Sequence, residues 1–264
     1  MKDRKMIETA GGIEPCLFEE FIPAELADLA VEVQRAAADL GRGLHPESAQ
    51  ELADLVRIMN CYYSNLIEGH NTRPRDIERA LVGAELSEET RPLALEARAH
   101  DIVQRQIDER FLNGAFGSPT SSPLISWVHE AFYREMPPEF RFVVHLDGTR
   151  EEIIPGKFRA EGDADVAVGR HLPPSSHRVD AFMDHFSKRF RSTETSASGQ
   201  IIAIEAAHHR LKLHPPLSRR EWPLLRTLQA DQGRRHGARA KSPLCSARPT
   251  ATHACGAEQC GWTS

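Results

Sequence analysis

Three short stretches and one isolated histidine carry residue types that could do chemistry. In the first, Ser64-Asn65-Leu66-Ile67-Glu68-Gly69, a serine and a carboxylate stand four apart, so they share one helix face, and the glycine then releases the chain. A carboxylate held there can reach an arginine on a facing element. The second runs Ile153-Ile154-Pro155-Gly156-Lys157-Phe158-Arg159 and is followed by Asp165 to Pro174. Short, partly β-branched and broken by Pro-Gly, it reads as part of a small surface hairpin. The third, Ile201 to Leu211, is an apolar helical string holding Glu205, His208 and His209. Beyond it stands His214, a weak candidate for a general base.

Glu205 and His209 are i, i+4 and could share a metal ion. His208 and His209 point about 100° apart on a helix and chelate poorly together. No H-E-x-x-H string accompanies them. A hydrogen-bonded histidine pair is the plainer reading, and a metal hydrolase using Glu205 and His209 remains an alternative that zinc analysis would test.

The elements that must position these groups are mostly helices. Leu26, Leu29, Ala30 and Val33 recur at helical spacing, as do Leu52, Leu55, Val56 and Met59. Pro46 and Glu47 suit the first turn of the second of these helices. A further helix is expected over Thr72–Leu81, capped by Asn71 or Thr72, with Pro74 in its first turn and Ile77, Ala80 and Leu81 inward. Others follow over Ala94–Phe111, Leu124–Met136, Val179–Phe190 and Gln200–Leu211. Gly114 to Pro123 reads as a loop. Residues 141–146 and 153–159 predict one or two small hairpins.

Composition sets the outer limits. The chain has 264 residues, 40% hydrophobic and 27% charged, with a formal charge of −5. This is globular composition, and it gives no reason to expect nucleic acid or an anionic membrane as partner. No apolar run reaches spanning length, and the charged start Met1-Lys2-Asp3-Arg4-Lys5 leads into no apolar stretch, so neither a leader nor an anchor is expected. With an odd count of five cysteines, reduced thiols and a cytoplasmic location are expected. After Leu211 the texture changes to Arg, Pro, Gly and Cys without periodicity, which predicts disorder.

Taken in order, the three stretches resemble the Fic (Fido) family. Ser64–Gly69 resembles its inhibitory motif, [S/T]-x-x-x-E-[G/N]. Ile153–Arg159 with Asp165–Pro174 resembles its flap, which implies an edge that binds an extended target segment by strand addition, and Ile201–Leu211 resembles the helix that leads into its catalytic loop. The resemblance implies a mainly α fold: a helical core with a small β-hairpin flap, truncated, followed by a disordered tail. It divides the chain into an N-terminal helical region with the inhibitory helix (1–110), a partial Fic domain including the flap (111–211) and a tail (212–264). The implied activity is protein adenylylation, the transfer of AMP from ATP to a protein hydroxyl, with ATP and Mg²⁺ as implied cofactors. The protein target would dock through Ile154, Pro155, Gly156, Lys157, Phe158 and Arg159; Glu68, shaped by Ser64 and Gly69, would inhibit. Phosphocholine transfer and AMP removal are further possibilities within the family.

The family's loop, H-x-F-x-[D/E]-G-N-G-R, is missing. In its place stands Lys212-Leu213-His214-Pro215-Pro216-Leu217-Ser218-Arg219-Arg220-Glu221-Trp222-Pro223. Back-translated from His214 and moved by one base, the codons permit Ile, His, Pro, Phe, Leu or Pro, Asp, Gly, Asn, Gly, Arg in order. The single codon of Trp222 forces the last glycine. One inserted base near Lys212 therefore accounts for the loss and for the tail, whose Cys245, Cys255 and Cys260 then need no metal. The family's base, phosphate cradle, metal ligand and arginine have no counterparts here. His214 is one residue early, and Pro216 stands where phenylalanine is expected. The chain as written is expected to be catalytically silent. A non-catalytic helical interaction module is the alternative of a different class.

Overall fold

A computed structural model of the chain describes residues 22–217, except 68–69, 71, 86, 89, 116, 145–147, 164, 166–172 and 191–196. The protein is mainly α. Its helices are α1 (Ala24–Arg42), α2 (Pro46–Ile67), α3 (Pro74–Leu81), α4 (Arg91–Leu112), α5 (Ser122–Glu135), α6 (Val179–Arg189) and α7 (Ala197–Leu213). Between α5 and α6 lies one antiparallel hairpin, β1 (Phe142–Val144) with β2 (Arg150–Glu152), in the register Phe142 to Glu152 and Val144 to Arg150. None of the described helices is long and apolar enough to cross a membrane.

Proline opens four of these helices, at Pro46, Pro74, Pro92 and Pro123. Its fixed φ suits the first turn, where its missing N–H would find no helical partner anyway. No side chain caps α3: its N-cap is Arg73. Thr72, expected as the cap, instead accepts a 3.1 Å bond from Asn65 Nδ2. That bond ties the end of α2 to the start of α3.

The main core is built where α4, α5, α6 and α7 meet. Val103, Ile107, Ile125, Val128, Phe132 and Phe186 are among its buried members. Full burial of one such side chain stabilises by about 1.5–3 kcal/mol. A second cluster, Cys61, Ile77 and Ala97, joins α2, α3 and α4. Helix α1 packs on α7, through the buried Ala30 and Ala37. Leu29 and Val33, whose spacing suggested an inward face, are 54% and 46% exposed. Small residues allow close approach of two helices, so the alanine edge of α1 is the one that faces α7.

Charge also fastens α2 to α4. Arg57 is 6% exposed and pairs with Asp54 and Asp108. Arg105 bonds Asp54 at 2.9 Å and Asp101 at 2.8 Å. Burial first, and then the neighbouring Arg105, pulls the Arg57 guanidinium below its ordinary range, while the carboxylates of Asp54 and Asp101 oppose that shift by favouring the charged form. One turn further along, the Cys61 thiol donates to the Ala97 carbonyl at 3.5 Å, and Gln104 Nε2 lies 2.9 Å from His100 Nδ1.

The described structure runs past Leu211, where the sequence suggested the Fic-like part ends. Helix α7 continues to Leu213. Residues 214–217 then fold back onto the core, where Leu217 is 1% exposed. Their sequence, His-Pro-Pro-Leu, is apolar enough to be buried, which explains why the change of composition at 211 is not a change of order. The remainder of the expected tail, 218–264, lies outside the described residues.

Candidate functional site

The stretch 153–159 forms no strand. Ile153 still accepts the end of the hairpin ladder, its N–H bonding the Arg141 carbonyl at 2.8 Å, and its side chain is 1% exposed. A turn follows, closed by the Lys157 N–H on the Ile154 carbonyl at 3.2 Å. Pro155 and Gly156 occupy its two central positions, and Gly156 has φ +77. This is the pattern of a type II turn, which wants proline first and glycine second. The expected strand-addition edge at 154–159 is thereby corrected: proline has no N–H for a ladder, and the turn bends the chain away.

Helix α5 grips this turn. His129 Nδ1 accepts from the Gly156 N–H at 2.8 Å, and Ser126 Oγ donates to the Gly156 carbonyl at 2.6 Å. A Cβ at position 156 would sit 3.1 Å from Glu130 Cβ, so the close approach also requires glycine. His129 is 0% exposed. Burial pushes its pKa down from 6.5 to about 4, so it is a neutral imidazole near pH 7, as its acceptor role demands. Its Nε2 finds no hydrogen-bond partner among the described residues. The only hint of His129 in the sequence is a polar residue inside the apolar face Ile125-Val128-Phe132 of α5; Ser126 left no signal at all.

Past the turn, Lys157 Nζ lies 3.7 Å from Asp163. Arg159 is 5% exposed and ties the loop to the end of α7. Its N–H donates to the Pro216 carbonyl at 2.8 Å, and its guanidinium donates through Nη2 to the Pro215 carbonyl at 2.8 Å and the Pro174 carbonyl at 3.3 Å. Of the six residues proposed to dock a target, Ile154 is 54% exposed at the tip, whereas Arg159 is structural.

Beside this joint lies a small cleft, open to solvent, lined by Arg159, Phe182, Met183, Arg210 and His214 among others. The His214 ring is 6.2 Å from that of Phe182, and its backbone N–H closes the last turn of α7 on the Arg210 carbonyl at 2.9 Å. The pocket therefore sits at a helix C-terminus, where carbonyls and the negative end of the dipole gather. Pro215 and Pro216 bring no N–H groups. A phosphate cradle needs the reverse: a helix N-terminus with free amides. What the arrangement offers is an apolar slot with a basic rim.

The structure brings Arg159 and His214 to one place. Ser64 lies apart from them, buried near the end of α2, the helix that packs on α3 and α4. Glu68 and Gly69 are outside the described residues. Glu205 and His209 are both exposed on α7, and no group of three metal-ligating side chains is found among the described residues. Burial, then Arg210 and Lys212, lowers the His209 pKa. No protein-family model matches the chain, and no curated protein matches it.

Proposed function

We propose that the chain is the body of a Fic-type protein AMP-transferase that has lost its nucleotide loop to a shift of reading frame. What supports this most is the sequence at one point in the fold. Directly after α7, beside the loop 153–159, the codons for His214 to Pro223 permit the entire missing motif when moved by one base. In the chain as written, that position offers two prolines and a helix C-terminus, which favour neither ATP nor Mg²⁺. The protein is then catalytically silent, and its remaining property is the turn at Ile154, presented on a rigid helix to a protein target.

Two measurements test the reading. Calorimetry with ATP and Mg²⁺ should give no heat of binding for the chain as written. Removing one base near the Lys212 codon should create a protein that transfers labelled AMP from ATP to protein, more strongly when Glu68→Gly removes the inhibitory carboxylate. Tight Mg²⁺-dependent ATP binding by the written chain, or no transfer by the restored one, overturns it.

A further inference from the structure

Helix α1 carries an apolar seam that the other described residues leave exposed. Leu26, Leu29, Val33, Ala36 and Leu40 follow alternating steps of three and four residues, the spacing of a coiled-coil stripe. Leu29, Val33 and Leu40 are 54%, 46% and 44% exposed. On one side of the seam Ala30 and Ala37 are buried, and α1 packs on α7. On the other side Glu25, Glu32 and Asp39, seven residues apart, form an exposed acidic row. A contiguous apolar stripe with a charged margin marks an interaction surface.

The margin decides what can lie on it. A second copy of α1 laid antiparallel, with Leu29 opposite Leu40 and Val33 opposite Ala36, brings Glu32 against the other copy's Asp39, like charge on like. A parallel copy needs the margin occupied by Ala30 and Ala37, which α7 covers. Anionic lipid and nucleic acid are repelled by the same acids. We propose that the α1 seam docks an amphipathic helix of a partner protein, one with apolar residues at heptad spacing and lysine or arginine along the margin that meets Glu25, Glu32 and Asp39. Apolar burial supplies the affinity, and the charged row selects the partner and its direction. This surface is separate from the pocket at α7, and it stands whether or not the chain ever handled nucleotide.

The test uses the full chain and two labelled synthetic helices of about three heptads, both with leucine seams, one with lysine margins and one with glutamate margins. Fluorescence anisotropy should show saturable binding of the lysine helix, weakened several-fold by added salt, and none of the glutamate helix. Leu29→Ser with Val33→Ser should abolish binding. Glu25→Lys, Glu32→Lys and Asp39→Lys together should reverse the preference to the glutamate helix. All these positions are exposed, so circular dichroism should be unchanged. Three results overturn the proposal. One is equal or absent binding of both helices. Another is a dimer in sedimentation that the seam variant dissolves. The last is a carbodiimide cross-link within one molecule from the acidic row to Lys241, the lysine beyond residue 217, which would make the chain's own tail the occupant.

Discussion

His129 makes the stability of this fold depend on pH in a way that can be isolated. In the folded protein its pKa is about 4, against 6.5 for an ordinary histidine. The unfolded chain therefore binds a proton more readily than the folded one throughout that window, and stability falls as pH falls. The contribution is intact above about pH 6.5 and is lost progressively towards pH 4. At about pH 5 the two-state proton balance gives a loss of roughly 2 kcal/mol. Protonation would also remove the Nδ1 lone pair that receives the Gly156 N–H. Replacing His129 with asparagine retains an acceptor near Nδ1 and abolishes the titration. Urea unfolding of both proteins at about pH 7.5 and pH 5 should show a pH-dependent loss smaller by roughly 2 kcal/mol in His129→Asn, because the carboxylates common to both cancel. Equal losses in the two proteins would mean that His129 is not buried neutral, and the account of the clamp on the turn would fail.

Gly156→Ala should lower stability by about 1–3 kcal/mol, read as a fall in Tm, because φ is +77 and the new Cβ meets Glu130. Arg57→Leu should cost roughly 3–5 kcal/mol in urea unfolding by removing the buried cation that pairs with Asp54 and Asp108, and adding Asp108→Leu should restore part of it. Leu217→Ala should cost roughly 2–5 kcal/mol by the same measurement; a neutral result would place residues 214–217 outside the cooperative fold. The Cys61 thiol, raised by burial and by the nearby carboxylates of Asp101 and Glu96, should resist iodoacetamide until the protein unfolds, as followed by peptide mass mapping.

Helices were legible where apolar periodicity and prolines agreed. Pro46, Pro74 and the Leu124–Phe132 face placed α2, α3 and α5 within a few residues, because a first-turn proline and a buried stripe are both local signals. Helix α1 was legible as a helix but not in its orientation. Its leucines spelled an inward face, yet the buried edge is Ala30 and Ala37, a choice made by how closely α7 approaches. The hairpin was legible, but the turn at Ile154–Lys157 was read as an edge, since the pairing partner of Phe142 is Glu152 and a register cannot be read from one strand. At the candidate site, His214 was named as a weak general base and Arg159 as a docking residue, and the joint that Arg159 makes with Pro215 was not foreseeable from residues 56 apart in the chain. His129 was missed because a lone histidine within an apolar stripe has no spacing to betray it.

The Arg159 guanidinium has a consequence for anything that enters the slot beside it. Its Nη2 donors are spent on the carbonyls of Pro174 and Pro215, so one side chain staples three separate stretches of backbone. An anionic guest that drew this cation towards itself would do so at the expense of those staples. Filling the slot and loosening the joint are thus one equilibrium, and a guest too weak to outbid two carbonyls would leave no mark on either.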